Sequence, residues 1–276
     1  MSEVQSTTSP KCAFCQRSDR HLLSCERCRL GLYCSRNCQR SDWPRHKSEC
    51  RRQNYILKVD LLPRFIQNPR IYRTLSCPAT STFAALHKAL QIAFGWASAH
   101  LYEFEVQDHA DTRGRENLRS GREPILRLTN TSDAAPDAYL PNCKESSQYR
   151  LHQVLEDDPA TEGKTIHYLY DFKDGWEHVV VCAGRTPGTE HFQCLDGEGH
   201  ACAEEVGGYG GWRRLLETFD RAAAEREDEL DEDQRELMTW YKEVCRNGQK
   251  AGLGGEKNWM WDRDQINERL KSVVVS

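Results

Sequence analysis

No stretch of this chain holds the roughly twenty consecutive apolar residues that a membrane-spanning helix needs. The opening decapeptide, MSEVQSTTSP, has neither the basic start nor the apolar centre of a secretory signal. These two absences lead us to expect a cytoplasmic or nuclear protein, where cysteines stay reduced and serve metals more often than disulfides. Internal repeats are missing too, which sets aside repeat architectures. A recognisable nucleophile–base motif is likewise absent, so no covalent catalysis is indicated.

What the chain does have is cysteine, 13 in 276 residues, and most of it comes early. Cys12, Cys15, Cys25, Cys28, Cys34, Cys38, His46 and Cys50 read C-x2-C, C-x2-C, C-x3-C, H-x3-C. That is two complete sets of four tetrahedral zinc ligands, in a segment too small to fold on buried apolar surface alone. In each C-x2-C knuckle one turn presents two thiolates. Cys34 with Cys38, and His46 with Cys50, lie four residues apart, so a helical turn puts each pair on one face. With every position filled by protein, such sites are structural rather than catalytic. Spacing alone leaves open which pairs share an ion.

The net charge of −4 conceals a split, because residues 11–52 carry eleven Lys or Arg against four acids, a formal +7. Seven thiolates and two zinc ions bring that segment to +4. The basic residues are therefore read as balancing anionic zinc–thiolate centres rather than as a nucleic-acid patch.

Hydrophobic content of 38% with 9% aromatics supports one ordinary globular domain beyond the zinc module. Residues 1–10 are expected to form a disordered tail, 11–52 the zinc module and 53–276 the larger domain, with Arg51-Arg52-Gln53-Asn54 as a short polar hinge. Alternation predicts strands at Tyr55–Leu62, Pro69–Cys77 and His100–Val106. Between the second and third, Ser81 caps a helix whose apolar face is Phe83, Leu86, Leu90 and Phe94 and whose end is Gly95. Residues 107–148 are rich in Arg, Asp, Asn, Ser and Pro and read as a long loop insertion. Order resumes at Tyr149–Leu155, followed by strands Thr165–Phe172 and Glu177–Ala183 around a turn at Asp174-Gly175. Helices are expected at Trp212–Ala224, Asp233–Cys245 and Asp264–Leu270, with the acidic run AEREDELDEDQRE as a solvated link. The fold class is α+β: a small two-zinc module plus a domain of mixed antiparallel sheet and helix.

The full spacing C-x2-C-x9-C-x2-C-x5-C-x3-C-x7-H-x3-C, with GLYCSRNCQRSDWPRHKSEC, resembles the MYND-type zinc finger over residues 12–50. The resemblance implies interleaved binding, Cys12, Cys15, Cys34 and Cys38 on one ion and Cys25, Cys28, His46 and Cys50 on the other. It also implies a protein-interaction module that adds a proline-containing peptide (Pro-x-Leu-x-Pro type) beside a short strand, with Gln39 and Trp43 at the assisting positions. An indole packs on proline rings and an amide satisfies peptide backbone; Trp43 serves equally well as core of so small a module. Some methyltransferases carry such a finger, but the Asn-His-Ser-Cys segment of their SET domain has no counterpart in this chain.

Three polar clusters mark the rest: LHKALQIAFGWASAHLYEF, YDFKDGWEH and CLDGEGHACAEEVGGYGGW. In that order, and over residues 54–106 and 149–270, they resemble the plasmid pRiA4b Orf-3-like family, which implies an α+β fold without an established activity. The chain departs from that pattern at Tyr102, Lys173 and ACAEEV. His100, Asp171, Asp174, His178, Cys194 and Cys202 form a candidate set for a metal with an open position, or a buried polar network pinning the hairpin. Two functions follow. The first is a zinc-binding adaptor that docks a proline-rich peptide of a protein partner; the alternative is a metal-dependent hydrolase whose site lies in the larger domain.

Overall fold

A computed structural model describes residues 10–18, 21–62, 69–108, 123–131, 142–224 and 230–275. Residues 1–9 of the expected tail lie outside this range, as do 109–122 and 132–141 of the expected insertion and 225–229 of the acidic run.

In the N-terminal module two dipeptide strands, β1 (Leu23–Ser24) and β2 (Leu32–Tyr33), pair antiparallel. Helix α1 (Arg36–His46) follows, its first turn closed by Ser35, whose hydroxyl accepts from the Cys38 N–H at 3.2 Å. Its core is Cys12, Cys25, Cys28, Cys50 and Tyr33, so sulfur takes the place of aliphatic bulk.

The remainder is one sheet of eight strands with helices packed on it. The elements are β3 (Asn54–Leu61), β4 (Tyr72–Cys77), α2 (Phe83–Phe94), β5 (Tyr102–Gln107), β6 (Leu126–Thr129), β7 (Lys144–Glu145), β8 (Thr165–Tyr170), β9 (Trp176–Thr186) and β10 (Gln193–Glu198). Helices α3 (Gly208–Ala224), α4 (Glu232–Glu243) and α5 (Arg263–Leu270) complete the chain. The strand order is β10-β4-β3-β9-β8-β5-β6-β7, antiparallel except for β6 with β7. Register places Leu61, His178, Tyr168, Phe104 and Leu128 in one row across five strands, all buried on the helix-covered face.

Helix α2 buries nine of its twelve residues, including the expected Phe83, Leu86, Leu90 and Phe94, because α5 packs on it as well as the sheet. Each such side chain contributes about 1.5–3 kcal/mol when fully buried. Its cap is Thr82, accepting from the Ala85 N–H at 3.1 Å, and not Ser81. Ser81 is instead engaged through its backbone, where its carbonyl accepts from Leu151. At the other end Gly95 takes the left-handed conformation (φ 72°) that closes the helix.

The structure adds to the sequence reading in three further places. Strands β6 and β7 lie inside the expected 107–148 loop, β6 pairing with β5. The turn between β8 and β9 falls at Asp174-Gly175 as expected but begins at Asp171, whose carbonyl accepts from Gly175 and whose φ is +57°. Strand β10 escapes a pattern search because Asp196, Gly197 and Glu198 interrupt any alternation. It forms the sheet edge, where the Asn267 side chain from α5 pairs with both backbone groups of Cys194, at 2.7 and 3.0 Å.

Candidate metal centres

Two groups of four ligand atoms, each within 4.8 Å of one another, stand out among the described residues: Cys12, Cys15, Cys34, Cys38 and Cys25, Cys28, His46, Cys50. The first knuckle and the start of α1 build one; the second knuckle and the end of α1 build the other. The Sγ atoms of Cys34 lie 3.5 Å from those of Cys15 and Cys38, and Cys25 lies 3.6 Å from Cys50. Cys28 Sγ is 3.5 Å from His46 Nε2.

Those distances test the fit to zinc. Zn–S bonds of about 2.3 Å in a tetrahedron space the sulfurs by about 3.8 Å, and a sulfur–imidazole edge by about 3.6 Å. A disulfide would require about 2.05 Å. The donor sets therefore match two four-coordinate zinc ions. The thiols also show why a cation belongs there. Burial opposes the Cys12 thiolate, but the N–H groups of Cys15, Cys34 and Phe14 hold it down at about 6. Cys34 is pushed up to about 12 by sharing hydrogen bonds with Cys38 and Cys15. Cys25 and Cys50 divide the same way: burial resists the Cys25 thiolate, yet the Cys28 N–H and His46 draw it to about 6, while burial and the Cys25 thiol push Cys50 up to about 12. In each set one thiol ionises easily and another holds its proton, which a divalent ion would displace.

The two centres are tied together through α1. Asp42, nearly fully buried, accepts from the Tyr33 hydroxyl at 2.9 Å and from Arg45 at 2.8 and 2.9 Å, and Arg45 reaches the Ala13 carbonyl in the first knuckle. Arg45, then Tyr33, hold the Asp42 carboxyl below its ordinary range against the opposing effect of burial. Tyr33 and Trp43 both pack edge-on to the His46 ring. Gln39 and Trp43 sit one turn apart on α1, Gln39 half-buried and Trp43 37% exposed.

In the large domain the six candidate residues fall into separate places. His100 Nε2 is 3.5 Å from the buried Asp171 carboxylate and 3.7 Å from Glu205. The other Asp171 oxygen accepts the N–H groups of Lys173 and Asp174, and Asp174 accepts from Gly207 at the entrance to α3. His178 is sealed in the core, with Nδ1 3.2 Å from the Tyr168 carbonyl. Cys194 and Cys202 lie in the β10 region within electrostatic reach of Arg73, and burial pushes both thiols up, Cys194 to about 11. The structure thus brings His100 and Asp171 together and leaves His178, Cys194 and Cys202 apart from them. Among the described residues no third group of metal-ligating side chains forms beside the two in the finger.

Residues 53–267, most of the chain, match the family model described as plasmid pRiA4b ORF-3-like protein. The chain belongs to that family. Residues 12–50 of this ORF-3-like protein match the MYND finger. It is similar to the uncharacterized protein y4hQ of Sinorhizobium fredii, 32% identical over 163 residues, which is 58% of this chain and 72% of that one. Its finger is similar to part of N-lysine methyltransferase SMYD2 of Bos taurus, 49% identical over 39 residues, 14% of this chain and 9% of the enzyme. The chain thus spans only a small fraction of that methyltransferase. In fold it resembles the protein of unknown function MM3350 from Methanosarcina mazei Go1, with a TM-score of 0.52 and 24% identity over 77% of this chain and 96% of that one. Among the described residues no helix is long and apolar enough to cross a membrane.

The structure of this ORF-3-like protein also assigns work to residues that sequence reasoning passed over. Arg73 is 1% exposed, yet pairs with no carboxylate among the described residues; its guanidinium donates to the carbonyls of Ala93, Tyr72, Glu198 and Gly199 between the rings of Phe94 and Trp261. Burial lowers it to about 10, so it stays charged at neutral pH. Gly197 and Gly199 of CLDGEG make this cage: a Cβ on Gly197 would lie 2.8 Å from Arg73 Cδ, and Gly199 has φ +79°. The paired glycines were the only available sign of it.

Proposed function

We propose that this ORF-3-like protein is an adaptor whose finger, residues 11–52, captures a proline-containing peptide of a protein partner through Gln39 and Trp43, while residues 53–276 form its body. The observation that carries the reading is the concentration of exposed apolar side chains on so small a module: Phe14, Leu23, Leu30 and Trp43. Closed zinc sites hold that surface rigid, so little order is lost when a ligand arrives. Strand β1 pairs only with β2 among the described residues, which leaves an edge for an extended peptide to join.

Fluorescence anisotropy with a labelled Pro-x-Leu-x-Pro peptide and the full chain tests this. Trp43→Ala should retain two zinc ions per chain and bind at least about tenfold more weakly, the size of effect expected for a central aromatic anchor. Equal binding by the variant and the native chain would remove Trp43 from the role. The hydrolase reading keeps one supporting observation, the His100–Asp171 pair. Elemental analysis addresses it: a third zinc lost in His100→Ala would favour it over the adaptor.

A further inference from the structure

The second knuckle contains an oddity. Arg29 has φ +61°, a left-handed conformation in which glycine would be less strained. Gln16 occupies the matching place in the first knuckle with the same φ, and turns its amide back onto the Ala13 carbonyl of its own turn. Arg29 does the opposite. Its guanidinium leaves the finger and lies 3.6 Å from Glu156 of the large domain.

Glu156 is a hub. It accepts from the Tyr55 hydroxyl at 3.0 Å and from Arg185 at 2.9 Å, and Arg52 stands 3.6 Å away. Arg185 itself lies over the Tyr55 ring, 3.8 Å from its centre. Next in sequence, Asp157 accepts from Arg52 at 3.2 Å and pairs with His152 at 2.7 Å. Glu156 and Asp157 both lie at the end of a single π turn, Gln153–Asp157, closed by the Asp158 N–H on the Gln153 carbonyl, and both face Arg52. Such widened turns are frequent at functional sites.

The opposite side of the connecting segment is held as closely. A Cβ on Gly188 would fall 2.3 Å from the Arg52 carbonyl oxygen, so the 186–190 loop presses directly on the chain leaving the finger. Asn54 and Thr189 exchange hydrogen bonds at 2.8 and 3.1 Å, and Arg51 pairs with Glu190. The stretch expected to be a polar hinge is gripped on both sides.

We propose that the Gln153–Asp157 turn and the 186–190 loop form a docking surface whose partner is the chain's own zinc finger, with Arg29 as the contact that orients it. The finger and sheet then move as one body, and a peptide held on the finger arrives at a fixed place relative to the large domain. The left-handed backbone belongs to the knuckle turn, since Gln16 shares it; what differs at Arg29 is the side chain, which reaches Glu156 instead of its own turn.

That last point supplies a test in which docking and finger stability move in opposite directions. Arg29→Gly relieves the backbone and removes the contact; Glu156→Gln removes the same contact from the other side. In the full chain, each variant should keep two zinc ions. Trypsin cleavage after Arg51 or Arg52, followed by mass spectrometry, should accelerate roughly threefold, the scale set by one partly exposed ion pair. The radius of gyration from solution scattering should rise. Sodium chloride at about 0.5 M should bring the native chain at least to the variants' cleavage rate, because the exposed pairs at Arg29, Arg51 and Arg52 are all screened there. Arg29→Gly with native cleavage and native radius of gyration would overturn the proposal, as would a native chain whose cleavage ignores salt.

Discussion

Lowering the pH from 7 to 5 should destabilise the large domain through two histidines that hold no metal. His87 lies flat on the Tyr102 ring, 3.6 Å between centroids, with Nδ1 2.9 Å from the Tyr168 hydroxyl. His178 is fully buried between Phe94, Trp96 and Tyr168. Burial lowers both to about 3, against about 6.5 in the unfolded chain. The unfolded state therefore binds more protons between those values, so stability is complete above pH 6.5 and falls as the solution is acidified. At pH 5 each histidine accounts for about 2 kcal/mol and the pair for about 4 kcal/mol.

Urea titrations followed by the fluorescence of the buried Trp96, Trp176 and Trp212 should show it. With a slope of about 2–3 kcal/mol/M the midpoint falls by about 1.5 M over this interval. Burial also lowers His167 and His200 and adds in the same direction, so variants must isolate the effect. His178→Gln, which keeps an amide donor for the Tyr168 carbonyl, should have a pH dependence weaker by about 2 kcal/mol. If that variant lost stability between pH 7 and 5 as steeply as the native domain, buried neutral His178 would be refuted.

Arg73→Met should cost about 3–5 kcal/mol in thermal or urea unfolding, because it leaves four inward-facing carbonyls without their donor. Arg73→Lys should recover only part of this, since an ammonium cannot span the same spread of acceptors. Cys38→Ser should reduce zinc from two ions to one per chain by elemental analysis and leave the unfolding of the large domain unchanged, because Cys38 belongs only to the first group of four donors. Gly208→Ala should lower the unfolding free energy by about 1–3 kcal/mol, read from urea titration, as its φ of +66° is unfavourable with a Cβ and that atom would lie 2.3 Å from the Asp174 carbonyl oxygen.

The zinc clusters were legible from sequence because ligand chemistry fixes residue type and spacing together, and two knuckles plus two helical pairs leave little freedom. Helix α2 was legible for a different reason: Phe83, Leu86, Leu90 and Phe94 repeat at helical period and Gly95 ends it. Its cap was misplaced by one residue because Ser81 and Thr82 offer the same hydroxyl, and only the bridge from Thr82 to Arg150 selects between them. Arg73 could not be read, since its partners are backbone carbonyls that carry no residue signature. His178 looked like a ligand from its neighbours in DGWEH, but its side chain belongs to the inner row of the sheet with Tyr168 and Phe104. Glu205, distant in sequence from His100, enters that site only through a turn with φ +61°.

The Asn267 side chain has a consequence for how the molecule behaves among its own copies. An unpaired strand is a template for another strand, and proteins that leave one open tend to polymerise. By offering Cys194 one donor and one acceptor, a single amide imitates the next strand and stops the sheet at β10. Helix α5 is thereby a terminator as well as a packing element. Removing it would free a backbone edge, and the first symptom would be insoluble assembly rather than loss of secondary structure.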